Sequence, residues 1–250
     1  MKRIQYHHYG GPEELRLEEA KEPEPAGGQV RVRVVAAAVN AMDWKIRRGE
    51  MKMLSGFRFL RGLGDDFAGV VNAVGPDVKR FKVGDEVLGA SPISKAGTFA
   101  EFVVADEKNA ALKPRSISFE QAAALTIESV TAWNGLVAKA KVKDSQSVFI
   151  TGCLGGVGRS SVQIARMIGS DVTGSCSASR REEASALGVG EVVDYRAFDV
   201  ASYQHRFDVV FDTVGTLSLS QCGTMLKPHG KSLHIVPTLA KMIGCLLPSR

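Results

Sequence analysis

The sequence predicts an α/β chain in two parts: a β-rich, barrel-like front half and a rear half built on a doubly wound parallel sheet. Three observations predict it. Residues 29–35 (Gln-Val-Arg-Val-Arg-Val-Val) alternate apolar and charged side chains with period 2. From Ser147 onward, short apolar runs alternate with helical stretches. A glycine-rich turn at 151–158 joins the first of those runs to a helix.

In the front half, Pro25-Ala26-Gly27-Gly28 turns the chain into the strand at 29–35. Residues 67–74 are rich in Val and Gly and stop at Gly75-Pro76, and 81–89 read as a turn followed by a short strand. Residues 98–104 are a further strand candidate. Short strands punctuated by Gly and Pro favour a compact barrel-like unit. After Pro114 the texture changes. Ser118-Phe119-Glu120-Gln121 starts a helix with a Ser cap and an acidic first turn, and Ala122, Ala123 and Ala124 continue it. The boundary therefore falls near 115–125, dividing the chain into domains 1–120 and 121–250. In the rear half, strands are expected at 148–150, 172–176, 192–193, 207–211 and 232–236. Ser161, Ile164, Ala165 and Ile168 share a helical face, and a second helix at 181–187 ends at Gly188. Repeated βα units imply a parallel sheet with helices on both faces.

Composition narrows the function classes. Of 250 residues, 44% are hydrophobic and 24% charged, as in globular proteins generally. Lys and Arg number 32 against 27 acidic residues, a net charge of +5. The excess is spread along the chain with no basic tail, which speaks against nucleic acid as a partner. The four cysteines, Cys153, Cys176, Cys222 and Cys245, form no CxxC pair. That argues against a zinc lobe or a disulfide framework and favours a reducing, cytoplasmic compartment. The N-terminus shows no signal-peptide core, and no run approaches the ~20 apolar residues of a membrane span.

The glycine turn carries the chemistry. In Thr151-Gly152-Cys153-Leu154-Gly155-Gly156-Val157-Gly158, Gly155 and Gly158 supply the last two glycines of a GxGxxG pattern, and Cys153 stands at the first. Between a strand and a helix, such a turn lets the backbone approach a pyrophosphate, which the free N–H groups of the helix start then hold. Gly152, Gly155, Gly156, Val157 and Gly158 are the candidate ligands. A NAD site usually places an acid about 20 residues further on, for the ribose 2′-OH. Here Gly174-Ser175-Cys176-Ser177-Ala178-Ser179-Arg180-Arg181 offers hydroxyls and two arginines without a carboxylate. Ser175 and Arg180 are therefore assigned to a 2′-phosphate, and NADPH is favoured over NADH. The plainer reading is that both arginines merely start a helix on a solvated face.

Several segments, in order along nearly the whole chain, resemble one family. Ala38-Val39-Asn40-Ala41-Met42-Asp43-Trp44-Lys45 is similar to its AVNPxDWK segment, and Gly64-Asp65-Asp66-Phe67-Ala68-Gly69-Val70-Val71 to its GxDxAGVV. Val74-Gly75 through Gly84-Asp85-Glu86-Val87, Gly97-Thr98-Phe99-Ala100-Glu101-Phe102, Ala122-Ala123-Ala124 through Thr131-Ala132, Glu191-Val192-Val193-Asp194-Tyr195 and residues 207–215 follow its remaining motifs. These belong to the medium-chain dehydrogenase/reductase superfamily, in its zinc-independent quinone-oxidoreductase branch, near the chloroplast-envelope-type homologues and alkenal reductases. The resemblance implies a GroES-like β-barrel catalytic domain followed by a Rossmann domain, with the active site in the cleft between them. It also implies hydride transfer from NADPH to a quinone or an α,β-unsaturated carbonyl, a small-molecule substrate.

By the same resemblance Asn40 contacts the nicotinamide end or the substrate carbonyl, Lys45 polarises a carbonyl, and Trp44 walls the pocket. Thr131 contacts the nicotinamide phosphate side, and Tyr195 lies by the 2′-phosphate. No general acid is assigned. Zinc enzymes of the superfamily carry Cys where Asn40 stands and His-Glu where Asp65-Asp66 stand, so no metal is expected. Family members usually continue several dozen residues beyond Arg250. The missing strands would leave a sheet edge open, and they put the family's homodimer and the activity in doubt. Two other readings remain: a non-catalytic NADPH-binding protein on the same fold, and an RNA binder, which steep salt dependence would reveal.

Overall fold

The computed structural model describes residues 1–56, 59–92 and 95–235. The chain forms two compact units, the first Met1–Ile127 and the second beginning at Glu128.

The first unit contains β1 (Lys2–Tyr6), β2 (Arg16–Glu19), β3 (Gln29–Ala36), α1 (Ala41–Arg47), α2 (Lys52–Ser55), β4 (Arg61–Gly62), β5 (Asp66–Val74), β6 (Glu86–Ala90), β7 (Phe102–Asp106) and β8 (Ala110–Leu112). Its main sheet is a curled antiparallel one in the order β7-β3-β5-β6-β8. The period-2 pattern of β3 explains its place at the centre. Val30 and Val32 are fully buried with Phe67, Val71, Val87 and Val103, whereas Arg31 and Arg33 point away from that core. The strand expected at 98–104 begins four residues later, at Phe102. The reason is in the backbone: the N–H groups of Gly97, Thr98 and Phe99 bond back to the carbonyls of Gly64 and Leu63, and the Phe99 carbonyl accepts from Ile4. Those groups are already used before the main ladder starts.

A 15-residue helix, α3 (Phe119–Trp133), crosses from the first unit to the second. Its start is the expected one: Ser118 Oγ accepts from the Gln121 N–H at 3.2 Å, and Gln121 Oε1 accepts from the Ser118 N–H at 3.0 Å.

The second unit alternates β9 (Ser147–Ile150), α4 (Gly156–Ile168), β10 (Asp171–Cys176), α5 (Arg181–Leu187), β11 (Glu191–Asp194), β12 (Phe207–Asp212), α6 (Leu219–Met225) and β13 (Leu226–His234). All neighbours in the sheet are parallel, in the order β11-β10-β9-β12-β13. The sheet buries both faces. Val148, Ile150, Val172 and Phe211 pack with Val162 and Ala165 of α4, while Phe149, Phe207 and Val210 pack with Cys222 and Met225 of α6. This is the doubly wound arrangement the sequence predicts. The chain winds outward from β9 to β11, then returns to the other side of β9 as β12. Between the carboxyl ends of β9 and β12 the winding reverses, the place where such sheets bind ligands. The last strand starts at Leu226, six residues before the expected 232; Val236 lies outside the described residues.

Candidate functional site

The glycine turn fills that switch point. Gly152 has φ +57°, in the left-handed region that favours glycine. Its N–H bonds to Ser175 Oγ at 3.3 Å, and the next N–H, of Cys153, bonds to the Ser175 carbonyl at 3.0 Å. Ser175, expected at a phosphate, is thus a buried brace under the turn. Gly155 is the N-cap of α4 and brings no capping side chain. The first helical bond runs from the Arg159 N–H to the Gly155 carbonyl at 2.7 Å. The N–H groups of Gly156, Val157 and Gly158 precede it, at the positive end of the helix dipole. A Cβ at Gly158 would collide with the Gly152 carbonyl oxygen, so helix and turn touch backbone to backbone. At Gly155, among the described residues, the only atom near such a Cβ is the Gly152 oxygen, 3.3 Å away, which leaves a cradle above the turn.

Cys153, in the first-glycine position, is buried, and room for it comes from Gly174. A Cβ at Gly174 would lie 2.7 Å from Cys153 Cβ and 2.8 Å from its Sγ. Burial first, and Cys176 beside it second, push the Cys153 thiol up to about 12, so it stays protonated and serves as packing.

Across the switch point Asp212, fully buried at the end of β12, holds the following loop. It accepts from the N–H groups of Gly215 (2.9 Å), Thr216 (3.2 Å) and Leu217 (3.0 Å) and from Thr151 Oγ1 (2.9 Å). Thr151 Oγ1 in turn accepts the Thr213 N–H at 2.8 Å, and His234 Nδ1 stands 3.5 Å from the carboxylate. Sequence reading did not single out Asp212. Its signal was its place at the end of a buried strand, opposite the glycine turn.

At the ends of β10 and β11 the expected phosphate ligands gather with others that sequence reading missed. Arg180 is exposed and donates to Glu183 from Nε at 2.7 Å and from Nη2 at 2.8 Å. Arg159, in the first turn of α4, reaches the same carboxylate with Nη2 and the Leu154 carbonyl with Nε, the latter at 3.0 Å. Arg181 is exposed at the start of α5. Tyr195 is anchored through its N–H to the Cys176 carbonyl at 3.1 Å, with its ring exposed and the Arg196 guanidinium 5.4 Å from the ring centre. Thr131 lies in α3, half-buried, one turn beyond Glu128. α3 runs against the start of α4. A Cβ at Gly156 would come 2.5 Å from Glu128 Cγ, and Ser129 and Ser160 place their hydroxyls 3.3 Å apart.

In the first unit the two expected substrate residues part company. Asn40 caps α1 and is buried; its N–H bonds to Asp43 Oδ2 at 2.6 Å and its Nδ2 to Asp66 Oδ2 at 2.7 Å. Lys45, half-buried in α1, places its ammonium 5.5 Å from the centre of the Trp44 ring, which Arg48 also covers at 5.2 Å. Beside Asn40, three carboxylates are buried: Asp43, Asp65 and Asp66. Neither oxygen of Asp65 has a hydrogen-bond partner among the described residues. Burial, and then the neighbouring Asp43, push the Asp65 carboxyl up to about 7. Asp43 is raised too, by burial, against the opposing pull of the Asn40 and Gly64 N–H groups. Burial also raises the Tyr6 hydroxyl, with Arg61 opposing it and Asp65 adding to it.

Comparison with known proteins identifies the family. Residues 26–115 match the alcohol dehydrogenase GroES-like domain and residues 156–236 the zinc-binding dehydrogenase domain. The chain is 32% identical over 247 residues to the chloroplastic quinone-oxidoreductase homolog of Spinacia oleracea, which covers 95% of this chain and 75% of that protein. The chain belongs to the medium-chain dehydrogenase/reductase superfamily. Within this superfamily it is also 37% identical over 225 residues to the chloroplastic NADPH-dependent alkenal/one oxidoreductase of Arabidopsis thaliana, covering 86% of this chain and 58% of that one. Escherichia coli quinone oxidoreductase complexed with NADPH superposes with a TM-score of 0.84 at 28% identity, over 98% of this chain and 78% of that one. This superfamily member is an oxidoreductase.

The name of the second matched domain raises the question of zinc. The donors at the position in question are the Asn40 amide and the carboxylates of Asp65 and Asp66, with no thiolate or imidazole among them. Among the described residues, no three His, Cys, Asp or Glu side chains are grouped to hold a metal. This donor set does not fit a zinc centre, which draws on sulfur and nitrogen ligands. Among the described residues, no helix is long and apolar enough to cross a membrane.

Proposed function

We propose that this oxidoreductase uses NADPH to reduce quinones or α,β-unsaturated carbonyls without a metal. One observation carries the reading: the cradle over Gly155, at the first N–H groups of α4, is followed just past β10 by Arg180 and Arg181, with no acid at the end of the strand itself. An anionic pyrophosphate suits the first feature and a 2′-phosphate the second. The names of the Arabidopsis and E. coli relatives agree with this cofactor.

Bound NADPH would supply the hydride. The chain's own residues would supply place and field. Gly156, Val157 and Gly158 would hold the pyrophosphate, with Gly152 and Ser175 keeping the turn in shape and Asp212 fixing the loop beside it. Arg180, with Tyr195 and the neighbouring Arg181 and Arg196, would take the 2′-phosphate. Thr131 would contact the nicotinamide phosphate side. In the catalytic domain, 1–120, Asn40 would meet the nicotinamide end or the substrate carbonyl, held firm by Asp43 and Asp66. Lys45 would polarise that carbonyl from α1. The nucleotide domain would be 121–250. Without a Lewis acid, the acceptor must already be electrophilic, as quinones and enones are. Cys153 and Cys176 are buried thiols outside any disulfide, which supports a reducing, cytoplasmic setting.

The test is oxidation of NADPH, followed by its absorbance, with a benzoquinone, a phenanthrenequinone and a small alkenone offered in turn. Turnover that prefers NADPH to NADH and survives a chelator is expected. Tight NADPH binding without turnover of any acceptor would replace the reductase with a nucleotide-binding protein.

A further inference from the structure

We propose that Glu183 moderates the preference for NADPH, by holding Arg180 and Arg159 in an ion-paired arrangement that the 2′-phosphate of NADPH must open. The proposal rests on the reading that Arg180 receives that phosphate, and it adds the residue that opposes it.

The geometry is a three-membered network on one carboxylate. Arg180 meets Glu183 with two parallel N–H bonds, of 2.7 and 2.8 Å, the fork that a guanidinium offers a carboxylate or a phosphate alike. Arg159 Nη2 shares the Glu183 Oε1 that Arg180 Nη2 already uses. Through its Nε, Arg159 also holds the Leu154 carbonyl of the glycine turn at 3.0 Å. The hydrogen bonds from Arg159 and Arg180 draw the Glu183 carboxyl below its usual range, so it is ionised at neutral pH. By contrast, neither Arg181 nor Arg196 has an acid within ion-pair distance among the described residues.

Two consequences follow from the charges. A 2′-phosphate brings roughly two negative charges to a place where the Arg180 fork is taken and a like charge stands beside it. NADH brings only a hydroxyl there, which leaves the network closed and can donate a hydrogen bond to the carboxylate. Glu183 therefore weakens NADPH selectively. The three side chains are 37%, 48% and 41% exposed, so water and salt screen the effect. Glu183 tunes the preference by a modest factor.

The experiment compares the full-length protein with Glu183→Gln, Glu183→Ala and Arg180→Ala, titrating each with NADPH and with NADH, at low and at high salt. Glu183→Gln is expected to bind NADPH about fivefold more tightly, with NADH unchanged or weaker, and the gain should shrink as salt rises. Glu183→Ala should repeat the result, which guards against a variant that fails to fold. NADPH binding unchanged or weakened in both Glu183 variants would overturn the proposal, since the carboxylate would then be neutral or would be arranging the arginines for the phosphate. Arg180→Ala reports separately on the reading underneath: it should weaken NADPH about tenfold and spare NADH. If it leaves NADPH binding intact, that reading fails first, and the proposal with it.

Discussion

In the first unit Asp43, Asp65 and Asp66 are all buried, and two of the three share a neighbourhood in which like charges face each other. In the second, Arg159, Arg180 and Glu183 meet on the surface with opposite charges in contact. By pair counting, the surface cluster holds the fold together and the buried one strains it least where it is bonded most. Burial reverses the weights. Water screens the surface pairs until little of their attraction is left, whereas the buried acids feel desolvation in full. Within the buried set, partners decide the outcome. Asp66 accepts from Asn40 and Ile127, and Asp212 of the second unit accepts four donors, but Asp65 accepts none among the described residues.

The difference can be broken or sharpened by experiment. The largest effect is expected at Asp212. Asp212→Ala leaves three loop N–H groups and Thr151 Oγ1 facing an empty, buried place, and unfolding by urea should show a loss of about 3–5 kcal/mol. A loss near zero would mean that the loop rearranges to satisfy itself. Next comes Asp65. Its folded-state value of about 7 lies above the unfolded 3.8, so its proton favours the folded state. The contribution is complete below about pH 4 and is lost as pH rises to about 7, a fall on the order of 4 kcal/mol. Asp65→Asn should match the parent near pH 4 and exceed it in stability at pH 8. Parallel pH profiles for the two proteins would show that Asp65 does not carry the proton. The smallest effect belongs to the surface. Glu183→Gln should leave stability almost unchanged in the same urea series, even while it changes NADPH affinity.

Much of this architecture was legible in the sequence, for local reasons. β3 shows its period in consecutive residues, and α5 ends where Gly188 takes φ +102°. The parallel strands are short apolar runs because helices cover both their faces. The elements that escaped are those whose stability is not local. β1 and β2 read as charged segments, Lys-Arg-Ile-Gln-Tyr and Arg-Leu-Glu-Glu, and make sense only as a ladder that sets Lys2 opposite Glu19 and Arg3 opposite Glu18. α1 hides because its buried side carries Asp43 and Arg47 along with Ile46. β13 contains Pro228 and Gly230, which read as breakers.

The site divides in the same way. The glycine turn is contiguous and announces itself. The meeting of Arg159 with Glu183 spans 24 positions, and that of Asp43 with Asp65 joins α1 to the start of β5. Only the fold brings either pair together. Lys45 was assigned through the family resemblance, and in the fold its ammonium lies by the ring of the adjacent Trp44.

The contact between Cys153 and Gly174 has a consequence for descent. The two positions enclose one volume, and a side chain at either occupies it. A lineage that replaced the first glycine of the turn had to have, or acquire, a glycine on the neighbouring strand. The residues at these two positions should therefore have changed together, small for large, across the family.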